Sequence, residues 1–137
     1  QTLRPEHHAV KCALNADFDS FYAEELQHRE GLYPPYTRLA AVRIEGEDAH
    51  ETFRRAIGMG EQLTRIIKDH KLEATRVLGP AAAPLRKLRS SFRFRILLRS
   101  ATRRNLQALL KVANSLQLWQ SSDGVKITLD VDPVNML

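Results

Sequence analysis

Arg86, Lys87, Arg89, Arg93, Arg95, Arg99, Arg103 and Arg104 fall within nineteen residues that hold no acid. A guanidinium is planar and permanently charged, and it suits phosphate oxygens, carboxylates and the faces of bases. The acid-free window runs from Ala74 to Ser122 and adds Arg76 and Lys111, ten basic residues in all. Outside it stand 11 basic and 16 acidic residues, so the net charge of +5 combines a basic third with an acidic remainder. Such polarity suits a polyanion. Within the window Arg93, Arg95 and Arg99 alternate with Phe92, Phe94, Ile96 and Leu98, so in a strand the cations share one face and the apolar residues the other. A merely solvated strand face would mix charges. Three arginines, with Arg86, Lys87 and Arg89 in the flanking loop, favour anion binding.

Other candidate chemistries carry less. His7, His8, His28, His50 and His70 form no metal-ligand motif with supporting carboxylates and read as scattered surface residues. Cys12 is the only cysteine, which excludes an internal disulfide and any zinc site built on cysteine pairs. With no base beside it, Cys12 reads as a small buried residue, and a cytoplasmic origin is the default. Asp130 and Asp132 share a face of the last strand, as a magnesium pair would; neutralising arginines or finishing the turn at Pro133 is the plainer role. Trp119 reads as closing a core edge rather than stacking on a base. There is no phosphate-cradling glycine loop, Ser-His-Asp set or Cys-His set, so catalysis by this chain alone is not expected.

The elements that must position these residues follow from periodicity. A chain of 137 residues suits one domain plus a lead-in. Its 43% apolar and 27% charged content suggests neither disorder nor a membrane partner. The start, "QTLRPEHHAVK", has neither an initiator Met nor a signal core, and predicts a piece of a longer protein. After an extended start, Phe18, Phe21, Tyr22 and Leu26 lie at helical spacing behind Asp17 as N-cap. Gly31 stops that helix, and "YPPY" makes a stiff hinge.

Beyond the hinge, Tyr36 to Ile44 reads as a strand. Asp48 to His70 reads as a helix burying Ala49, Phe53, Ala56, Ile57, Leu63 and Ile67, with Gly58 and Gly60 weakening its centre. "EATRVLGP" reads as a short strand ended by Gly79 and Pro80, and "AAAPLRKLRSS" as a loop into the arginine strand. A second long helix starts near Thr102 and buries Leu106, Leu109, Leu110, Ala113 and Leu116. Val125, Ile127, Leu129 and Val131 alternate along a last strand. The order β-α-β-β-α-β predicts an α+β, ferredoxin-like fold preceded by an N-terminal helix: two helices cover one face of a four-stranded antiparallel sheet and leave the other for a partner.

Taken together, "FYAEELQHREGLYPPY", "VLGPAAAPLRKLRSSFRFRILLR" and "LDVDP" resemble the C-terminal end of the primosomal protein N′ (PriA) family of bacterial replication-restart helicases. The resemblance runs nearly end to end. It implies that residues 1–35 are the tail of the second helicase lobe with its linking helix and Tyr-Pro-Pro hinge, and that 36–137 is a ribosomal-protein-like C-terminal domain. That domain contributes in the family to binding single-stranded or forked DNA during primosome assembly, alongside other primosome proteins. Arg86, Lys87, Arg89, Arg93 and Arg95 are the residues implied for DNA. Arg103 and Gln107 match an Arg and a Gln that help hold the acidic C-terminal tail of single-stranded-DNA-binding protein. ATP, magnesium and zinc are implied for the parent protein, an ATP-dependent helicase, and no cofactor for this piece. One departure is Ser90-Ser91, where the family often has a Gly and a further basic residue.

Two other classes remain open on the residues alone. A stand-alone RNA-binding ribosomal-type domain would share the fold, and helicase motifs upstream would discriminate against it. A small acyl-phosphatase-like enzyme would need an anion-cradling loop and a positioned Asn, and the Pro-rich loop after Gly79 supplies neither.

Overall fold

Residues 2–31, 33–88, 91–122 and 124–134 are described in the computed structural model of the chain, the side chains of 84–88 excepted. Two compact units divide it, Gln1–Tyr36 and Thr37–Leu137.

The first unit contains α1 (His8–Leu14) and α2 (Phe18–Arg29). Asp17 caps α2 as its sequence predicts, accepting the Ser20 amide at 3.0 Å. Hydrogen bonding from the Ser20 side chain and amide holds the Asp17 carboxyl below the usual carboxylate range. By contrast, α1 stands where the sequence predicts an extended start. It is seven residues long and opens at His7, whose Nδ1 accepts from the Ala9 amide at 3.3 Å, and a helix so short shows no apolar period. Neither helix has a buried residue; Phe18 and Tyr22 are exposed, and Cys12 is only partly buried.

The second unit runs β1 (Arg38–Gly46), α3 (Ala49–Asp69), β2 (Thr75–Leu88), β3 (Ser91–Ser100), α4 (Arg103–Ser115) and β4 (Val125–Val131). The four strands form one antiparallel sheet in the order β2-β3-β1-β4, the split arrangement the periodicity predicts. Both helices start on capping side chains: Asp48 accepts from the Glu51 amide at 2.7 Å and Thr102 from the Asn105 amide at 3.2 Å. They pack on the face formed by Val42, Ile44, Phe94, Ile96, Leu98 and Ile127, to which they add Leu63, Ile66, Leu106 and Leu109.

Four expectations are corrected. The segment read as a loop after Pro80 belongs to β2, which pairs with β3 as far as Leu88 opposite Ser91. Its register breaks between Leu78 and Ala81 and between Ala82 and Lys87, where Gly79 at φ +99° and the prolines interrupt the pattern. An edge strand tolerates such interruptions, because its outer side carries no ladder and the β3 edge lets pairing resume.

The buried stripe of α3 is Thr52, Ala56, Met59, Gly60, Leu63 and Ile66, rotated from the predicted one. Phe53 and Ile57 are 41% and 39% exposed. Small residues at 56 and 60 bring the helix close to the sheet, with Gly60 over Pro80 and Ile96, while the Phe53 ring leans on Phe94 at 5.0 Å between centroids. Leu116 caps α4 and is exposed; Leu118 takes the buried place, with Trp119 partly buried at the core edge as its sequence position suggests. Finally, Asp132 lies beyond β4 at φ +53°, its amide donating to the Leu39 carbonyl at 2.9 Å. It therefore shares no strand face with Asp130. Among the described residues no helix is long and apolar enough to cross a membrane.

Candidate nucleic-acid interface

Because Phe94, Ile96 and Leu98 enter the core, alternation turns Arg93, Arg95, Leu97 and Arg99 to the opposite face of β3. Pairing then chooses their neighbours. On β1, Glu45 stands opposite Arg93, Arg43 opposite Arg95 and Leu39 opposite Arg99. On β2, Arg76 stands opposite Arg99. On β4, Lys126 pairs with Glu45 and Asp130 with Ala41. Five arginines and Lys126 thus share a face with Glu45 and Asp130, a clear excess of positive charge.

Glu45 is the residue that single-strand patterning misses. Its Oε1 lies 3.0 Å from Arg93 Nε and 3.3 Å from Arg43 Nε, with the Glu45 and Arg93 side chains only 16% and 19% exposed. Neither Nε–H is aimed well enough to make a hydrogen bond, so the contact is ionic. Arg93 is therefore half-buried and partly neutralised rather than simply projecting to solvent. Arg95 and Arg99 are also half-buried, and Leu39 and Ala41 on the same face are buried. Arg43, Arg76 and Lys126 are further members of the face. Their charge was visible in the sequence, but no local pattern tied them to β3.

Arg86 and Lys87 lie in the β2 arm rather than a loop, Lys87 opposite Phe92. Their side chains, and all of Arg89, lie outside the described residues. Arg103 and Gln107 are exposed one turn apart at the start of α4, immediately after the Thr102 cap. Since α4 packs on the core face, the fold splits the acid-free window into two surfaces on opposite sides of the sheet. It does not bring Arg103 and Gln107 together with Arg93 and Arg95.

In the first unit the histidines are not all scattered. His8, Glu24 and His28 place one ligand atom each within 4.8 Å of one another. No sequence motif announces this, because His8 lies on a different helix from the other two.

The family model described as "Primosomal protein N C-terminal domain" matches residues 29–134. Relatives named "Replication restart protein PriA" match the chain almost throughout. That of Treponema pallidum is 37% identical over the whole chain and 20% of its own length. That of Bacillus subtilis is 29% identical over the whole chain and 17% of its length, and that of Chlamydia pneumoniae 30% identical over 98% of the chain and 17% of its length. The chain spans about a fifth of these relatives or less. With the split sheet, the Tyr-Pro-Pro segment and the Asp-Val-Asp-Pro ending all present in a match that covers most of its length, the chain belongs to the primosomal protein N C-terminal domain family, the C-terminal region of the PriA replication-restart proteins.

Proposed function

We propose that this chain is the DNA-binding and partner-binding domain of a replication-restart helicase. The observation that supports this most is the second face of the sheet, where Arg43, Arg76, Arg93, Arg95, Arg99 and Lys126 outnumber Glu45 and Asp130. Arg93 and Arg95, two residues apart, are separated along the strand by roughly 6.8 Å, a spacing that a flexible single strand can follow with its phosphates. Arg86, Lys87 and Arg89, from the same acid-free window, are proposed as further DNA contacts. Single-stranded or forked DNA is the proposed ligand. The chain itself performs no catalysis in this reading. ATP, magnesium and zinc are cofactors of the longer protein, assigned to no residue here, and other primosome proteins are its partners in the cytoplasm.

The direct test is titration of labelled single-stranded, duplex and forked DNA, and of single-stranded RNA, with wild type and the Arg93→Ala/Arg95→Ala double variant. Binding to DNA that the double variant weakens is expected. Equal affinity in both proteins would remove this face from the site, and a clear preference for RNA would favour the ribosomal-type reading. Glu45 sharpens the test, because its carboxylate competes with phosphate for Arg43 and Arg93. Glu45→Gln should tighten single-stranded DNA binding by about two- to fivefold, the scale of a partly exposed ion pair worth roughly 0.2–1 kcal/mol. Weaker binding by this variant would mean that Glu45 positions the arginines rather than competing for them.

For the second surface, Arg103 and Gln107 are proposed to grip the acidic C-terminal tail of single-stranded-DNA-binding protein. Residues four apart on a helix share a face, and the first turn favours an anion. A labelled tail peptide should bind in the range of tens to hundreds of micromolar, about −5 to −6 kcal/mol. Binding should weaken in Arg103→Ala and Gln107→Ala and stay unchanged in an Arg54→Ala control. Equal binding in all four proteins would remove these residues from the site.

A further inference from the structure

We propose that His8, Glu24 and His28 form a binding site for a divalent transition metal ion, with zinc the best fit, that clamps α1 to α2. Two imidazoles and a carboxylate are a donor set that zinc accepts readily. Glu24 and His28 are four residues apart on α2 and therefore share one face of a regular scaffold. His8 opens α1 and supplies the third donor from across the helix pair, its ring centroid 5.4 Å from that of His28. The three ligand atoms lie within 4.8 Å of one another. Around a tetrahedral zinc ion, ligand atoms sit about 3.3 Å apart, so modest side-chain rotations close the site.

The surroundings of His8 give the second argument. Glu25 Oε1 lies 3.2 Å from His8 Nε2, so a proton on Nε2 is engaged by that carboxylate. Nδ1 faces Glu24 Oε1 at 3.8 Å. With Nε2 engaged by Glu25, Nδ1 is the ring nitrogen placed to take a metal ion beside Glu24. Glu25 is itself secured by Arg29, whose Nε donates to Oε2 at 3.3 Å. A carboxylate orienting a ligand imidazole through its far nitrogen is how metal-binding histidines are commonly held. His7 stays outside the set, because its Nδ1 already accepts from the Ala9 amide at the start of α1. His28 is exposed, so the remaining coordination positions are open to water.

The helix pair has a reason to use such a clamp. Neither α1 nor α2 buries a residue, and a seven-residue helix has little stability of its own. An ion shared by both helices would supply the cross-link that apolar packing does not.

The test is a titration of the untagged 137-residue chain with zinc in competition with a chromophoric chelator. One ion per chain is expected to bind. Amide exchange in α1 should slow on zinc addition, a response that a loosely attracted surface ion would not produce. His8→Ala, His28→Ala and Glu24→Gln should each abolish saturable binding, and Glu25→Ala should weaken it by about 10- to 100-fold through loss of ring orientation. Cys12→Ser and His70→Ala should bind as wild type, and circular dichroism should show every variant folded, since no substituted ligand lies in the core of the second unit. No stoichiometric binding would overturn the site. Binding that survives His8→Ala and His28→Ala, or that disappears in Cys12→Ser, would overturn it too and move the metal elsewhere.

Discussion

Phe94→Ala is expected to lower the melting temperature of the second unit by about 15–30 °C, whereas Arg95→Ala, its neighbour, should move it by only a few degrees. Phe94 is 5% exposed among Ile44, Ile96 and Ile127 of the sheet, with the Phe53 ring against it. Removing a buried Phe side chain forfeits its transfer free energy and leaves a cavity, together about 3–5 kcal/mol. In a unit of roughly 100 residues each kcal/mol shifts the midpoint by about 4–8 °C. Arg95 lies on the other face, and a partly exposed side chain away from the core changes stability by little, within roughly 1 kcal/mol. The comparison reads strand orientation directly: a one-residue slip in register would exchange the two faces. Two melts with the sensitivities reversed would therefore invert the core and the basic face, and the DNA proposal with them.

Binding of the chain to single-stranded DNA is expected to fall about fiftyfold when monovalent salt rises from roughly 50 to 200 mM. Each neutralised phosphate releases condensed counterions, which gives a log-log slope of about −0.7 per phosphate for single strands. The face holds five arginines and Lys126. Glu45 offsets about one of these charges, and not every remaining cation can reach a phosphate at once. About four contacts give a slope near −3. Anisotropy titrations at four salt concentrations would measure it, and a slope indistinguishable from zero would falsify phosphate contact as the basis of binding. Glu45→Gln should make the slope steeper by up to about one contact as it frees Arg93 or Arg43. The two measurements are independent, since fold stability reports the core face of β3 and salt dependence the arginine face.

Residues with local periodicity were readable from the sequence. Asp17, Asp48 and Thr102 marked helix starts because a capping side chain bonds an amide two or three residues on. The alternation in β3 assigned Phe94 to the core and Arg93 to the opposite face before any partner strand was known. The alternating elements led to the split sheet, and the acid-free window was already an argument for an anionic partner. The same local reading misjudged α3, where Phe53 looked like core and Gly60 like a flaw. Which side of a helix is buried depends on how closely it can approach the sheet, and small residues at 56 and 60 decided that. It also broke β2 at Pro80, because what carries that strand onward is the neighbouring edge of β3.

What the sequence by itself determined is the set of elements of the second unit, their order and the total charge of the basic window, since all three follow from backbone periodicity and composition within short stretches. Only the tertiary structure decided which charges meet. Glu45 sits between Arg43 and Arg93 because strand register places residues about fifty apart side by side. The window divides between two sides of the sheet because α4 must bury Leu106 and Leu109 on the core face. His8 reaches Glu24 and His28 because two helices pack, though no spacing along the chain records it. Such neighbours are chosen by burial and by pairing of backbone groups across long loops, interactions whose partners no local pattern names.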